Sequence, residues 1–263
     1  MKSDLPHIGV FDSGVGGFGI LSEIHKFIPS CRAHYIADQK YAPYGGMGKK
    51  ELIKRCMEIT NELLNVGVEL VVVACNTATA VAINELRKNF DLPFVGVEPY
   101  INAPNRELGI DEKSRLVVLL TPLTAVSKKY LVLKNRLDPC GYIEQYTCRK
   151  LAMLVERGFS GGMDDGIVTR MREELFPLKN KGFTHCILGC THYLLVRDFI
   201  EDYLELECIS TGPHVAKRTL EIIQGTGIPM NATVQECFEY KSTLSGVWEK
   251  IGFDKVATTF GNL

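Results

Sequence analysis

Short apolar runs that do not alternate with polar residues, separated by stretches of helical spacing, most constrain what this chain can become. The runs are HIGVF (7–11), AHYIA (33–37), ELVVVA (69–74), PFVGV (93–97), RLVVLL (115–120), HCILG (185–189) and LECIS (206–210). A strand that is apolar on both faces has to be covered on both faces. Longer segments such as 49–67 and 77–90 lie between the runs. In the second, Ala78, Val81, Ala82 and Leu86 recur at three- and four-residue steps, the spacing of one helical face. Strand alternating with helix predicts an α/β fold with mostly parallel sheets flanked by helices. A chain of 263 residues is long enough for two such units. A stretch rich in Asn, Pro, Glu and Gly at about 98–113 reads as their boundary. The expected division is 1–98 plus a returning tail, 213–263, against 99–212.

Composition removes several function classes. Charges of both signs balance to a net −1 and no long basic run occurs, which argues against nucleic acid as a partner. The start has no long apolar leader and no run is long enough to span a bilayer, so a cytoplasmic protein that does not engage a membrane is expected. Nine cysteines, an odd number dispersed over the chain, do not make a disulfide scaffold. Most read as small buried hydrophobes.

In parallel sheets, function collects at the carboxyl ends of strands. Four polar clusters stand there: Asp12-Ser13-Gly14, Cys75-Asn76-Thr77, the TPLT run of Thr121 and Thr124, and Cys190-Thr191-His192. Gly14, Gly16 and Gly19 match G-x-G-x-x-G, and Asp38 lies about where a ribose-binding acid would, so a dinucleotide-binding oxidoreductase is a rival reading. Asp12 opposes it, because its carboxylate would face the pyrophosphate. A carboxylate and a hydroxyl suit a substrate ammonium instead; a plain tight turn is the simpler alternative. The loop YAPYGG (41–46) offers glycine amides to an anion, or is only a turn.

Cys75 precedes a helix, where the dipole favours a thiolate. Asn76 and Thr77 can cap that helix or donate to a ligand carboxylate. Cys190 repeats the pattern with His192 two residues on. Zinc is the competing reading there, given His185 and Cys186. No C-x-x-C pair or second ligand pair supports it, and strand alternation turns His185 and Cys186 to opposite faces. A nucleophilic thiol needs one cysteine and one base. Two opposed thiols suit a two-base reaction, in which one face of a carbon loses a proton and the other gains one. A binding protein without catalysis would need neither.

The motifs FDSGVGG (11–17), PYG (43–45), ACNTA (74–78) and LGCTHY (188–193) resemble, in order and spacing, the glutamate racemases of the cofactor-independent aspartate/glutamate racemase family. The resemblance implies two pseudo-symmetric α/β domains with the active site in the cleft between them. It implies Cys75 and Cys190 as the acid/base thiols, assisted by Asp12 and His192. It implies substrate contacts from Asp12, Ser13, Tyr44, Gly45, Asn76, Thr77, Thr191 and His192, with Thr121 and Thr124 at the substrate carboxylate. It further implies glutamate as substrate, no cofactor or metal, a homodimer, and supply of D-glutamate for peptidoglycan. An aspartate racemase, or a relative that isomerises or decarboxylates small diacids, is the neighbouring alternative. The chain departs from the family pattern at Leu194, where proline is frequent, at Arg149 and Lys150, and at Ser210, after a strand where many members carry an Asp.

Overall fold

The computed structural model describes residues 5–99, 113–226 and 237–253. The first half runs β1 (His7–Asp12), α1 (Gly17–Phe27), β2 (Arg32–Ala37), α2 (Lys49–Asn65), β3 (Leu70–Val73), α3 (Asn76–Asn89) and β4 (Phe94–Gly96). The second runs β5 (Leu116–Leu120), α4 (Pro122–Ala125), α5 (Lys128–Leu137), β6 (Ile143–Thr147), α6 (Leu151–Gly161), α7 (Asp165–Leu175), β7 (His185–Gly189), α8 (Thr191–Leu194), α9 (Arg197–Leu204) and β8 (Glu207–Ile209). The chain ends with α10 (Gly212–Thr226), β9 (Cys237–Ser242) and β10 (Trp248–Gly252). The stretch expected to be a boundary lies largely outside the described residues.

Two sheets form. The first has the order β10-β9-β2-β1-β3-β4 and the second β6-β5-β7-β8. All neighbours pair in parallel except β9 with β10. Without the last two strands, both sheets have one topology: the second strand lies to one side of the first, and the third and fourth to the other. Each sheet therefore has a switch point, β1/β3 in one and β5/β7 in the other, where a crevice opens at the strand ends.

The apolar runs explain the layers. β1, β3, β5 and β7 are buried throughout. In α2 the buried positions Leu52, Cys56, Ile59, Thr60 and Leu63 repeat at helical spacing, and the helix ends before Gly67, whose φ of 84° suits glycine. With α3 it covers one face of the first sheet. A second apolar cluster runs without interruption from Ile8, Val10 and Val72 of the first sheet to Val117, Leu119 and Leu188 of the second. Fully burying one such side chain contributes about 2 kcal/mol, so this shared body holds the halves together.

β6, β9 and β10 did not stand out in the sequence. β6 and β10 are edge strands and carry solvent-facing polar residues such as Glu144, Gln145 and Glu249, while β9, next to β10, mixes polar and apolar residues that are buried or half-buried. The tail returns to the first sheet: β9 pairs with β2, matching Ser242 to Ala37.

Candidate active site

The two switch points face each other, and their strand ends carry Asp12, Cys75, Thr121 and Cys190. Cys75 has extended backbone and caps α3, its sulfur accepting from the Ala78 amide at 3.5 Å. Its thiol donates to Ser13 Oγ at 3.9 Å. Cys190 caps the single turn of α8. Both are buried, and each sulfur is close enough to the other that charge on Cys190 raises the Cys75 pKa.

The surroundings of the two thiols differ. Burial pushes the Cys75 thiol well above its ordinary pKa, and the neighbouring Asp12 pushes it further. The Ala78 amide opposes this and loses. The helix-dipole expectation is thus corrected: in a dry site beside a carboxylate, one amide contact does not make a thiolate. Beside Cys190, His192 Nδ1 lies 3.8 Å from the sulfur and Nε2 lies 2.6 Å from Glu156 Oε1. Burial disfavours the His192 cation, but Cys190, Glu156 and Asp12 outweigh it and hold the imidazole well above its usual pKa.

Asp12 ends β1 fully buried. Its Oδ1 accepts from the Ser13 amide at 2.6 Å and the Ser13 hydroxyl at 3.2 Å. Its Oδ2 accepts from Thr191 Oγ1 at 2.9 Å, a contact between the two halves. Burial raises its pKa to about 6, and His192, Thr191, Ser13 and Cys75 limit the rise. Thr77, Thr121 and Thr124 form a triangle of hydroxyls with oxygens 2.9–3.2 Å apart, also from both halves. Asn76 is buried with both amide heteroatoms unpartnered, as a side chain waiting for a ligand would be. The Tyr44 hydroxyl donates to Asp38 at 2.6 Å, and Arg55 clamps Asp38 with two bonds of 2.8 Å. The phenol is therefore engaged away from a ligand. The Gly45 backbone faces Thr121, whose Cβ would be 3.4 Å from a Cβ added at position 45.

The structure thus links Asp12, Ser13, Cys75, Thr77, Thr121, Thr124, Cys190, Thr191 and His192 through contacts within and between the two halves, and turns the Tyr44 hydroxyl to Asp38. It adds Glu156, which sequence reading missed. Glu156 lies on α6, beside the buried Ala152, Leu154 and Val155. An acid flanking a buried helical stripe was the available signal. Its carboxylate also accepts from the Val15 amide at 2.7 Å and from Gln39 Nε2 at 3.3 Å. Burial favours its neutral form, but the bonds from His192, Val15 and Gln39 win and keep its pKa below the usual value.

The glycine loop acquires a reason. A Cβ at Gly14 would lie 1.6 Å from Glu156 Oε1, and one at Gly16 would lie 2.6 Å from His192 Nδ1. The close approach that a dinucleotide reading reserves for a pyrophosphate is taken by the second half's acid and base. His185 is engaged elsewhere, by Thr184 at 2.8 Å. Among the described residues no helix is long and apolar enough to cross a membrane.

Comparison with known proteins agrees with this geometry. The family described as Asp/Glu/hydantoin racemase matches residues 23–219. A glutamate racemase of Aliarcobacter butzleri is 37% identical over 227 residues, 84% of this chain and 85% of that one. A glutamate racemase isoform of Bacillus anthracis superposes with a TM-score of 0.78 at 27% identity, covering 99% of this chain and 96% of that one. The Escherichia coli glutamate racemase, solved with L-glutamate and the activator UDP-MurNAc-Ala, also gives 0.78, at 26% identity over 90% of this chain and 89% of that one.

Proposed function

The chain belongs to the Asp/Glu/hydantoin racemase family, and we propose that it interconverts L- and D-glutamate by passing the Cα proton between Cys75 and Cys190. Glutamate racemisation is the activity its relatives carry, and supply of D-glutamate for peptidoglycan follows from the family. One observation carries the mechanism: two buried thiols stand at equivalent strand ends of two sheets with the same topology, each with its own proton partner.

With L-glutamate bound, Cys190 begins as the thiolate, paired with the His192 imidazolium. It removes the Cα proton, and the C–H electron pair passes into an enolate-like carboxylate. Cys75, which burial keeps as a thiol, then donates its proton to the opposite face. The products are D-glutamate, a Cys190 thiol and a Cys75 thiolate. D-Glutamate runs the same path in reverse. The Cα proton is very weakly acidic and a free thiol has a pKa of about 8.5, so the site has to stabilise the developing charge. Asn76 and the hydroxyls of Thr77, Thr121 and Thr124 suit the substrate carboxylate, where that charge grows in a water-poor cleft. Asp12 and Ser13 suit the ammonium. When Cys75 becomes a thiolate, Asp12 is able to hold a proton beside it, given its pKa of about 6. A homodimer and a cytoplasmic location belong to the same reading, by resemblance.

The deciding experiment incubates the enzyme in D2O, with no added cofactor, with each enantiomer of glutamate and of aspartate. Deuterium should enter Cα of both glutamates. Cys75→Ser and Cys190→Ser should each abolish racemisation; near-normal turnover in either removes that thiol from the mechanism.

A further inference from the structure

The catalytic roles above use nothing from the C-terminal strands, yet a hydrogen-bonded chain runs from β9 into the site. Gln39 lies in the turn after β2, next to Asp38, and is part-buried. Its Nε2 donates to Glu156 Oε2 at 3.3 Å, from the first half to the second. Its Oε1 accepts from Ser242 Oγ at 2.6 Å and from the Tyr240 hydroxyl at 3.2 Å. Chemistry fixes this orientation. An ionised carboxylate only accepts, so the amide NH2 has to face Glu156, which leaves the oxygen for the two hydroxyls. Burial raises the Tyr240 pKa to about 12, so its hydroxyl keeps its proton at neutral pH. Pairing of β9 with β2 holds Ser242 in place.

The last side-chain torsion of a glutamate is broad and soft, so a carboxylate held at one oxygen can still turn. Glu156 Oε1 carries the His192 and Val15 contacts, and Oε2 carries the Gln39 contact. We propose that Gln39, set by Tyr240 and Ser242, is a positioning residue for the Cys190 half of the reaction. It fixes the plane of the Glu156 carboxylate, which keeps His192 directed at Cys190. The partners of Cys75, namely Ser13, Asp12 and Ala78, receive no hydrogen bond from it. The C-terminal strand thereby acts on one of the two proton transfers and not the other. This inference rests on the two-thiol reading.

The test uses the full chain with Gln39→Leu, the near-isosteric Gln39→Met, and Ser242→Ala. Circular dichroism follows kcat/KM, and Cα-deuterated L- and D-glutamate give the isotope effects. Transfers at Cys190 and at Cys75 are separate barriers; slowing one makes it limiting and shifts the two isotope effects in opposite senses. The enantiomer that Cys190 serves is identified from Cys75→Ser, which should retain solvent deuterium exchange for that enantiomer alone. Loss of a hydrogen bond to a charged group should lower kcat/KM roughly tenfold in both Gln39 variants. The isotope effect should rise for the enantiomer Cys190 deprotonates and fall for the other, with the same pattern, weaker, in Ser242→Ala. Rates within twofold of the parent, isotope effects that do not move, or the opposite pattern each overturn the proposal. The two-thiol reading fails separately, in the unsubstituted enzyme, if neither glutamate takes up solvent deuterium.

Discussion

Replacing Gly14 with alanine tests the arrangement of the site with one methyl group. The backbone at Gly14 does not have a positive φ, so alanine is not strained there. The new Cβ would lie 1.6 Å from Glu156 Oε1 and 2.5 Å from its Cδ. Real Cβ contacts do not fall under 3.0 Å, so the carboxylate has to withdraw by about 1.4 Å, from 1.6 to 3.0 Å. Glu156 is the end of a flexible side chain and can move. A withdrawal of that size lengthens the 2.6 Å contact with His192 Nε2 to at most about 4.0 Å, reached when it runs directly away from the imidazole and then beyond hydrogen-bonding range. A bond between charged partners contributes about 1.5–3 kcal/mol, which corresponds to a fall in kcat/KM of roughly 10- to 150-fold. The assay is racemisation followed by circular dichroism, with a thermal melt to show that the fold is kept. Glu156→Asp is shorter by one methylene and makes room for the methyl group. The double variant Gly14→Ala/Glu156→Asp should therefore be more active than the two single losses multiplied together, a coupling of contacting residues. Full activity in Gly14→Ala, or strictly additive losses in the double variant, would refute the reasoning.

Two further outcomes follow from buried charge. His7 Nε2 and His34 Nδ1 share a hydrogen bond of 2.8 Å, and burial, with Arg32 nearby, lowers both pKa values to about 4. An unfolded histidine titrates near 6.5, so the unfolded chain binds more protons below that pH. Stability should be level above about pH 6.5 and fall as pH drops from there toward 4; Tm recorded against pH should lose that slope in a His7→Phe/His34→Phe chain. Asp38 is fully buried in the Arg55 clamp, with the Tyr44 hydroxyl as a third donor. Removing one partner of a buried pair strands the other, so Arg55→Ala should cost about 3 kcal/mol in denaturant unfolding. A loss under 1 kcal/mol would show that Tyr44 alone satisfies the carboxylate.

Much of this was legible in the sequence where the cause was local. Uninterrupted apolar runs mark strands covered on both faces, and the polar residues after them mark crevice positions; that is how Cys75, Asn76, Thr121 and Cys190 could be picked out one by one. Features that depend on contacts between distant segments were not legible. Glu156 reaches His192 and Val15 only after α6 packs against the first half; the buried stripe it flanks marks a helix face but not those partners. Gln39 gave no signal because its partners Tyr240 and Ser242 lie on β9, 201 and 203 residues away in sequence. Edge strands β6 and β10 escaped because polar side chains at an edge break the apolar pattern. The dipole argument at Cys75 was sound about the helix and wrong about the sum, since it left out the burial of the thiol and, after that, the neighbouring Asp12.

The unlike flanks of the two sulfurs, a carboxylate on one side and an imidazolium–carboxylate pair on the other, bear on how such a catalyst can be tuned. Mirror-image forms of an amino acid have equal energy in solution, so specificity constants forward and backward have to coincide whatever the protein does. Turnover and half-saturation can still change together on each side. An imbalance in resting protonation thus lets the enzyme hold one hand tightly and release the other readily without moving the final ratio.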